Sequence, residues 1–174
     1  LKKQKIYDIK HCEIFKLGRK MLKINIICVG KIKEKYIVDG INEFSKRLGR
    51  YIKLNIIEIK DEADNVINFA INKESKNLLD TINKNIGYNI LLDLKGNGLT
   101  SEELAKKIDE LTLNVSTINF IIGGSNGYND EVRNIADMRI SFSKMTFPHQ
   151  LMRLILVEQI YRSICINNNI SYHK

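Results

Sequence analysis

Short apolar runs alternate with longer amphipathic stretches from Met21 onward, and glycine or a polar cluster marks each switch. Lys23 to Val29 reads as a strand ending at Gly30, because the run is short and rich in isoleucine and valine. Tyr36, Ile37, Ile41, Phe44 and Leu48 then share one side of a helix that stops near Gly49. Leu54 to Ile59 is a second strand, and after the acidic turn Asp61 to Asn65 a helix is expected from about Val66 to Ile82. The third strand, Asn89 to Leu94, ends in Lys95-Gly96-Asn97-Gly98. Thr100 opens a helix with Glu103 three residues on, a capping-box arrangement in which each side chain satisfies the other's backbone N–H. Thr117 to Ile122 is the fourth strand and Gly123 to Gly127 the loop beyond it. A short helix, about Asp130 to Ala136, precedes the fifth strand, Met138 to Phe142. This order predicts a single α/β domain over Met21–Lys174, a mostly parallel sheet with helices on both faces.

The closing helix, Gln150 to Ile166, is apolar on nearly every face and therefore expected to be buried on more than one side. At about 100° per residue, Glu158 and Arg162 fall one turn apart on one stripe, with Gln159 at its edge. That pair can satisfy itself. Arg153 points roughly the opposite way and has no partner in its own helix. A buried charge is costly unless paired, so Arg153 requires a partner from a loop, a neighbouring subunit or a ligand.

Composition narrows the class. A hydrophobic content of 44% over 174 residues suits one globular domain with a real core. No apolar run reaches the length of a membrane span. Cys12, Cys28 and Cys165 are odd in number and lack metal-ligand spacing, so a reducing cytoplasm and no structural metal are expected. The net charge of +8 suggests a nucleic-acid partner, but residues 1–20 hold a surplus of five positive charges and leave Met21–Lys174 at +3. RNA would have to be met by a local patch, not by total charge. Residues 1–20 lack the continuous apolar segment of a secretory signal. Met21 reads as the natural start, with residues 1–20 as upstream sequence or a weakly ordered extension; an RNA-binding arm is the functional alternative.

Ligands of an open parallel sheet bind at the carboxyl ends of its strands. Three loops qualify: the one after Leu92-Asp93-Leu94, the glycine loop Gly123 to Gly127, and Ser143 to Pro148. Glycines let a ligand approach the backbone closely, though a tight strand-to-helix turn explains Gly123 to Gly127 equally well. No GxGxxG follows the first strand and no GxxxxGK[ST] occurs, so dinucleotide and nucleoside-triphosphate readings lose their usual support. Pro148 suits the first helical position and puts His149 in the first turn, where the helix dipole disfavours the imidazolium. A neutral histidine there can relay a proton or satisfy a loop carbonyl. Tyr172, His173 and Lys174 follow the polar stretch Asn167 to Asn169 and read, on their own, as a free tail.

Residues 141–163, SFSKMTFPHQLMRLILVEQIYRS, followed by the terminal YHK, resemble the C-terminal signature of the RlmH family. These are SPOUT-class methyltransferases that act on N3 of a pseudouridine in bacterial 23S ribosomal RNA. IIGGSNG (121–127), LLDLKGNGLTSEELA (91–105) and KINIICVGKIKEKY (23–36) stand at the family's spacing, so the likeness covers essentially all of 21–174. The resemblance implies a C-terminal trefoil knot, which ordinary chains almost never form. It implies S-adenosylmethionine as methyl donor, held by Leu92, Gly123 and the run Phe142, Ser143, Lys144, Met145, Thr146 and Phe147. It further implies a tail folded over the active site, with Arg153, Tyr172 and His173 contacting RNA or cofactor and Glu158 with Arg162 holding the final helix; His149 is read first as a structural or substrate-positioning residue, and His149, His173 or solvent are the candidates for taking the substrate proton. A homodimer is also implied, one subunit supplying the donor and the other gripping ribosomal RNA on the ribosome, with no metal and no membrane.

Overall fold

The computed structural model describes residues 21–62 and 67–173. Residues 1–20 (Cys12 among them), the turn residues 63–66 and Lys174 lie outside the described residues. The chain runs β1 (Lys23–Val29), α1 (Lys35–Leu48), β2 (Lys53–Ile59), α2 (Ile67–Lys84), β3 (Tyr88–Gly98), α3 (Ser101–Thr112), β4 (Thr117–Ile122), α4 (Asp130–Asn134), β5 (Met138–Ser141) and α5 (His149–Asn167). All strand pairs are parallel, in the order β2-β1-β4-β3-β5. Strand and helix boundaries fall mostly within two residues of those expected from the pattern, the scatter normal for element ends.

Alternation along β1 divides the core. Ile24, Ile26 and Cys28 join α1, α3 and α5 on one face, while Ile27 and Val29 join α2 and α4 on the other. Both sets are buried, each isoleucine contributing about 2 kcal/mol. The α2 face also carries an asparagine row at matching registers across four strands. Asn55 donates to Asn25 at 2.9 Å, Asn25 to Asn119 at 2.8 Å, and Asn119 to Asn89 at 2.9 Å. Asn25 and Asn119 are fully buried, and the row satisfies their amides at the amino-terminal end of the sheet.

Three departures from the sequence expectation position the site. First, β3 continues to Gly98 through an irregularity between Leu92 and Asn97, which pair with the same residue, Ile140. Gly96 permits this: a Cβ there would lie 2.7 Å from the Ile140 backbone. The bulge swings Asp93, Leu94 and Lys95 out of the ladder, a familiar device beside active sites. Second, Pro148 is the N-cap of α5 and His149 its first residue, one position later than expected. Third, Asn167 to Asn169 is no loose linker. Asn169, at φ 52°, ends α5 in a Schellman arrangement, with Ile170 N–H bonded to Cys165 O at 2.8 Å and Asn169 N–H to Ile166 O at 3.1 Å. The expected capping box on Thr100 and Glu103 is present.

Candidate active site

A cavity of about 400 Å³ opens where β3, β4 and β5 end. The loop after β4 forms one wall because it is too tight for side chains. A Cβ on Gly123 would lie 2.6 Å from Tyr128 Cδ1, and one on Gly124 would lie 2.6 Å from Glu74 Oε2. Gly127 closes the turn at φ +83°, its N–H bonded to Gly124 O at 3.0 Å. Tyr128 then crosses to β3, its hydroxyl donating to Leu92 O at 3.1 Å. Burial, and next the negative charge of Asp93, push the Tyr128 hydroxyl well above the usual tyrosine range, so it stays a donor.

The opposite wall is the loop after β5. Ser141 Oγ donates to Ser143 O, and Ser143 Oγ accepts from the Met145 N–H, both at 2.9 Å. These bonds fold the segment so that Phe142, Ser143, Met145, Thr146 and Phe147 face the cavity, with Leu92 and Gly123. Lys144 is the exception among the expected donor-binding residues: it is exposed and outside the lining. The sequence expectation missed Asp93, Tyr128 and Met152, all of which line the cavity or brace it. Asp93 had a signal, a carboxylate ending an apolar strand. Its Oδ1 accepts from Lys95 N–H at 2.9 Å, while Oδ2 lies 3.6 Å from Arg139 and 3.9 Å from Arg133.

His149 lines the cavity from the first turn of α5. Its proton affinity is lowered, first by burial and then by the Arg153 charge, against smaller raising effects of Asp61 and Glu74. The neutral ring expected from sequence therefore rests chiefly on burial. The Gly30 side-chain position is hemmed by Arg153, His149 and Asp61, each within 3.8 Å of where a Cβ would stand.

Arg153 requires a correction. It is fully buried and donates to Val29 O and to Glu58 at 3.1 Å, so its missing partner comes from β1 and β2. It does not line the cavity, and its charge lowers the proton affinity of His149, which does.

The tail was expected to fold over the site. Within one chain it lies against α5 and the start of α3, and neither Tyr172 nor His173 lines the cavity. Glu158 accepts from Arg162 Nε at 3.1 Å and from the Tyr172 hydroxyl at 3.0 Å. Arg162 also lies 3.2 Å from His173 Nδ1, and His173 Nε2 lies 2.7 Å from Glu102. Because arginine only donates, Nδ1 accepts and Nε2 carries the hydrogen toward Glu102. A smaller recess of about 280 Å³, lined by Leu99, Ser101, Phe142, Ile155 and Gln159, shares the β5 loop with the cavity. A further opening of about 400 Å³ lies under α1 near Ile32 and Glu58, with none of the glycine loop in its wall.

A sequence model described as "Predicted SPOUT methyltransferase" matches residues 22–173. The chain is 57% identical over 156 residues to "Ribosomal RNA large subunit methyltransferase H" of Fusobacterium nucleatum, covering 88% of this chain and 100% of that protein. The protein of the same name from Clostridioides difficile is 52% identical over 160 residues, with the same coverage. A solved structure, "a probable methylase family protein" from Haemophilus influenzae Rd KW20, superposes with TM-score 0.54 at 12% identity, covering 89% of this chain and 72% of that one. The chain belongs to the SPOUT methyltransferase family and is an enzyme of the methyl-transferring class, as the motifs at 121–127 and 141–163 led one to expect.

Proposed function

We propose that this chain methylates N3 of a pseudouridine in 23S ribosomal RNA, with S-adenosylmethionine as donor, on the ribosome in the cytoplasm. The observation that carries this reading is the glycine-walled cavity at the ends of β3, β4 and β5, in a chain of which 88% is matched by the full length of ribosomal RNA methyltransferases.

The lining fits the donor. Leu92, Ile122, Ile140, Phe142 and Met152 offer an apolar slot for adenine, and the bare backbone at Gly123 and Gly124 offers hydrogen bonds to its edge. Leu92, Gly123, Phe142, Ser143, Met145, Thr146 and Phe147 hold the donor, with the exposed Lys144 between Ser143 and Met145 in the same loop. When bound, S-adenosylmethionine supplies an electrophilic methyl group on a cationic sulfur. An imide nitrogen must shed its proton to become a nucleophile, and His149 is assigned as acceptor: it faces the cavity and is held neutral by its surroundings. Arg153 orients the turn that carries it.

The same reading takes 21–174 as one domain with a knotted C-terminal half, and the enzyme as a homodimer. Leu151, Leu154 and Ile155, half-buried apolar residues of α5, support a second copy there. Tyr172 and His173 contact RNA, held ready by Glu158 and Arg162.

Calorimetry with S-adenosylmethionine and mass mapping of 23S RNA from a deletion strain test this. Donor binding, with one methyl group missing from one pseudouridine, is the expected result. Binding with a methyl group missing elsewhere indicates another RNA target, and no binding indicates a ribosome assembly factor without catalysis.

A further inference from the structure

Glu74 sits on the apolar stripe of α2 with Ala70, Leu78 and Ile82, where a hydrophobic residue would complete the core. It is 4% exposed. Oε1 accepts from the Glu62 N–H at 3.0 Å, and Oε2 has no hydrogen-bond partner. That orphan oxygen faces the glycine loop, 2.6 Å from where a Gly124 Cβ would stand. The next residue, fully buried Ser75, accepts from the Asn129 N–H at 2.9 Å. Two adjacent polar groups of α2 thus brace both ends of the segment whose middle lines the cavity. A buried carboxylate is costly, and packing alone gives no reason for this one.

The charges that act on His149 are Arg153 from its own helix, backed by Glu58 of β2, then Asp61 beyond β2 and Glu74 of α2. A proton arriving on His149 would add to the Arg153 charge in a partly desolvated site. Resting on the methyl-transfer reading above, we propose that Glu74 is a positioning residue: wedged behind Gly124, it fixes the glycine loop and supplies the negative charge that balances a proton on His149.

Glu74→Gln keeps the shape and the acceptor for Glu62 while removing the charge. Loss of a nearby negative charge weakens proton binding, so the NMR titration midpoint of the His149 ring moves to lower pH. The acid limb of the pH–rate profile moves with it, and kcat falls roughly tenfold while the donor KM holds within about twofold. Glu74→Asp, which keeps the charge, restores the midpoint. A lowered Tm with the His149 midpoint unmoved, or an unmoved midpoint with unchanged kcat, overturns the proposal. Should Glu74→Gln not fold, a double-mutant cycle on donor affinity decides: Gly124→Ala alone weakens binding, and Glu74→Ala relieves that loss. Strict additivity overturns the wedge. The ring titration needs no turnover, so a shifted His149 in a protein that methylates no RNA supports the Glu74 assignment and sinks only the proposed activity.

Discussion

Arg153 on α5 and Glu58 on β2 meet at 3.1 Å, and the same guanidinium donates to the Val29 carbonyl of β1. This ties α5 to the two strands at the far side of the sheet from the cavity's β5 wall. Removing Glu58 leaves a fully buried cation with one carbonyl acceptor. Glu58→Leu is expected to lose about 3 kcal/mol in urea unfolding. Arg153→Met in the same background is expected to regain most of it, because the uncompensated charge is gone. Equal stability of Glu58→Leu and wild type would show that the pair matters little.

The cavity wall makes a sharper demand at Gly123. A methyl group there would stand 2.6 Å from Tyr128 Cδ1, and displacing the ring strains its bond to Leu92 O. Gly123→Ala is expected to weaken donor binding about tenfold, or ~1.4 kcal/mol, by calorimetry. Gly98→Ala is the matched control, since its Cβ would meet nothing within 4 Å. If both variants bind the donor equally well, the glycine loop is not a binding wall.

The alternating pattern made the five strands and five helices of the described residues legible, because burial on one or both faces is written directly into period two and period 3.6. Strand order was not, since β2-β1-β4-β3-β5 depends on which faces meet after collapse. The residues expected to hold a donor were named from motif likeness, Leu92, Gly123 and the β5 loop, and the cavity gathers all of these but Lys144. Glu74 went unread although its place on an apolar stripe was visible: a single charge among Ala70, Leu78 and Ile82 is ambiguous until the loop it braces is known. The asparagine row was equally hidden, because residues 25, 55, 89 and 119 become neighbours only through register.

His149 gives the stability a signed pH dependence. Its folded proton affinity lies below the ordinary value of 6.5, set first by burial and then by Arg153. Above that pH the ring is neutral in both states and adds no slope. As pH falls through about 6.5 the unfolded chain takes up a proton that the folded ring still refuses, so stability declines. The decline ends once the folded ring is protonated as well. His149→Asn is therefore expected to lose less stability than wild type between about pH 7.5 and pH 5. Parallel curves for the two proteins would mean that the ring titrates alike folded and unfolded.

The tail allows binding and turnover to be separated. Tyr172 reaches back to Glu158 at 3.0 Å and packs edge-on against Tyr161 at 4.8 Å, while His173 bridges Arg162 and Glu102. None of these contacts reaches the cavity lining of the same chain. A protein ending at Ile170 is therefore expected to bind S-adenosylmethionine within about twofold of the full chain, and to lose about 1 kcal/mol of stability with the aromatic pair. If the tail meets RNA, as proposed, methylation of whole ribosomes falls about tenfold or more while donor affinity holds, a split that a merely unfolded variant cannot produce. Full methylation by the truncated protein would remove Tyr172 and His173 from the reaction, and a collapse of donor affinity would mean that the tail closes over a cavity after all, in its own chain or in a second copy.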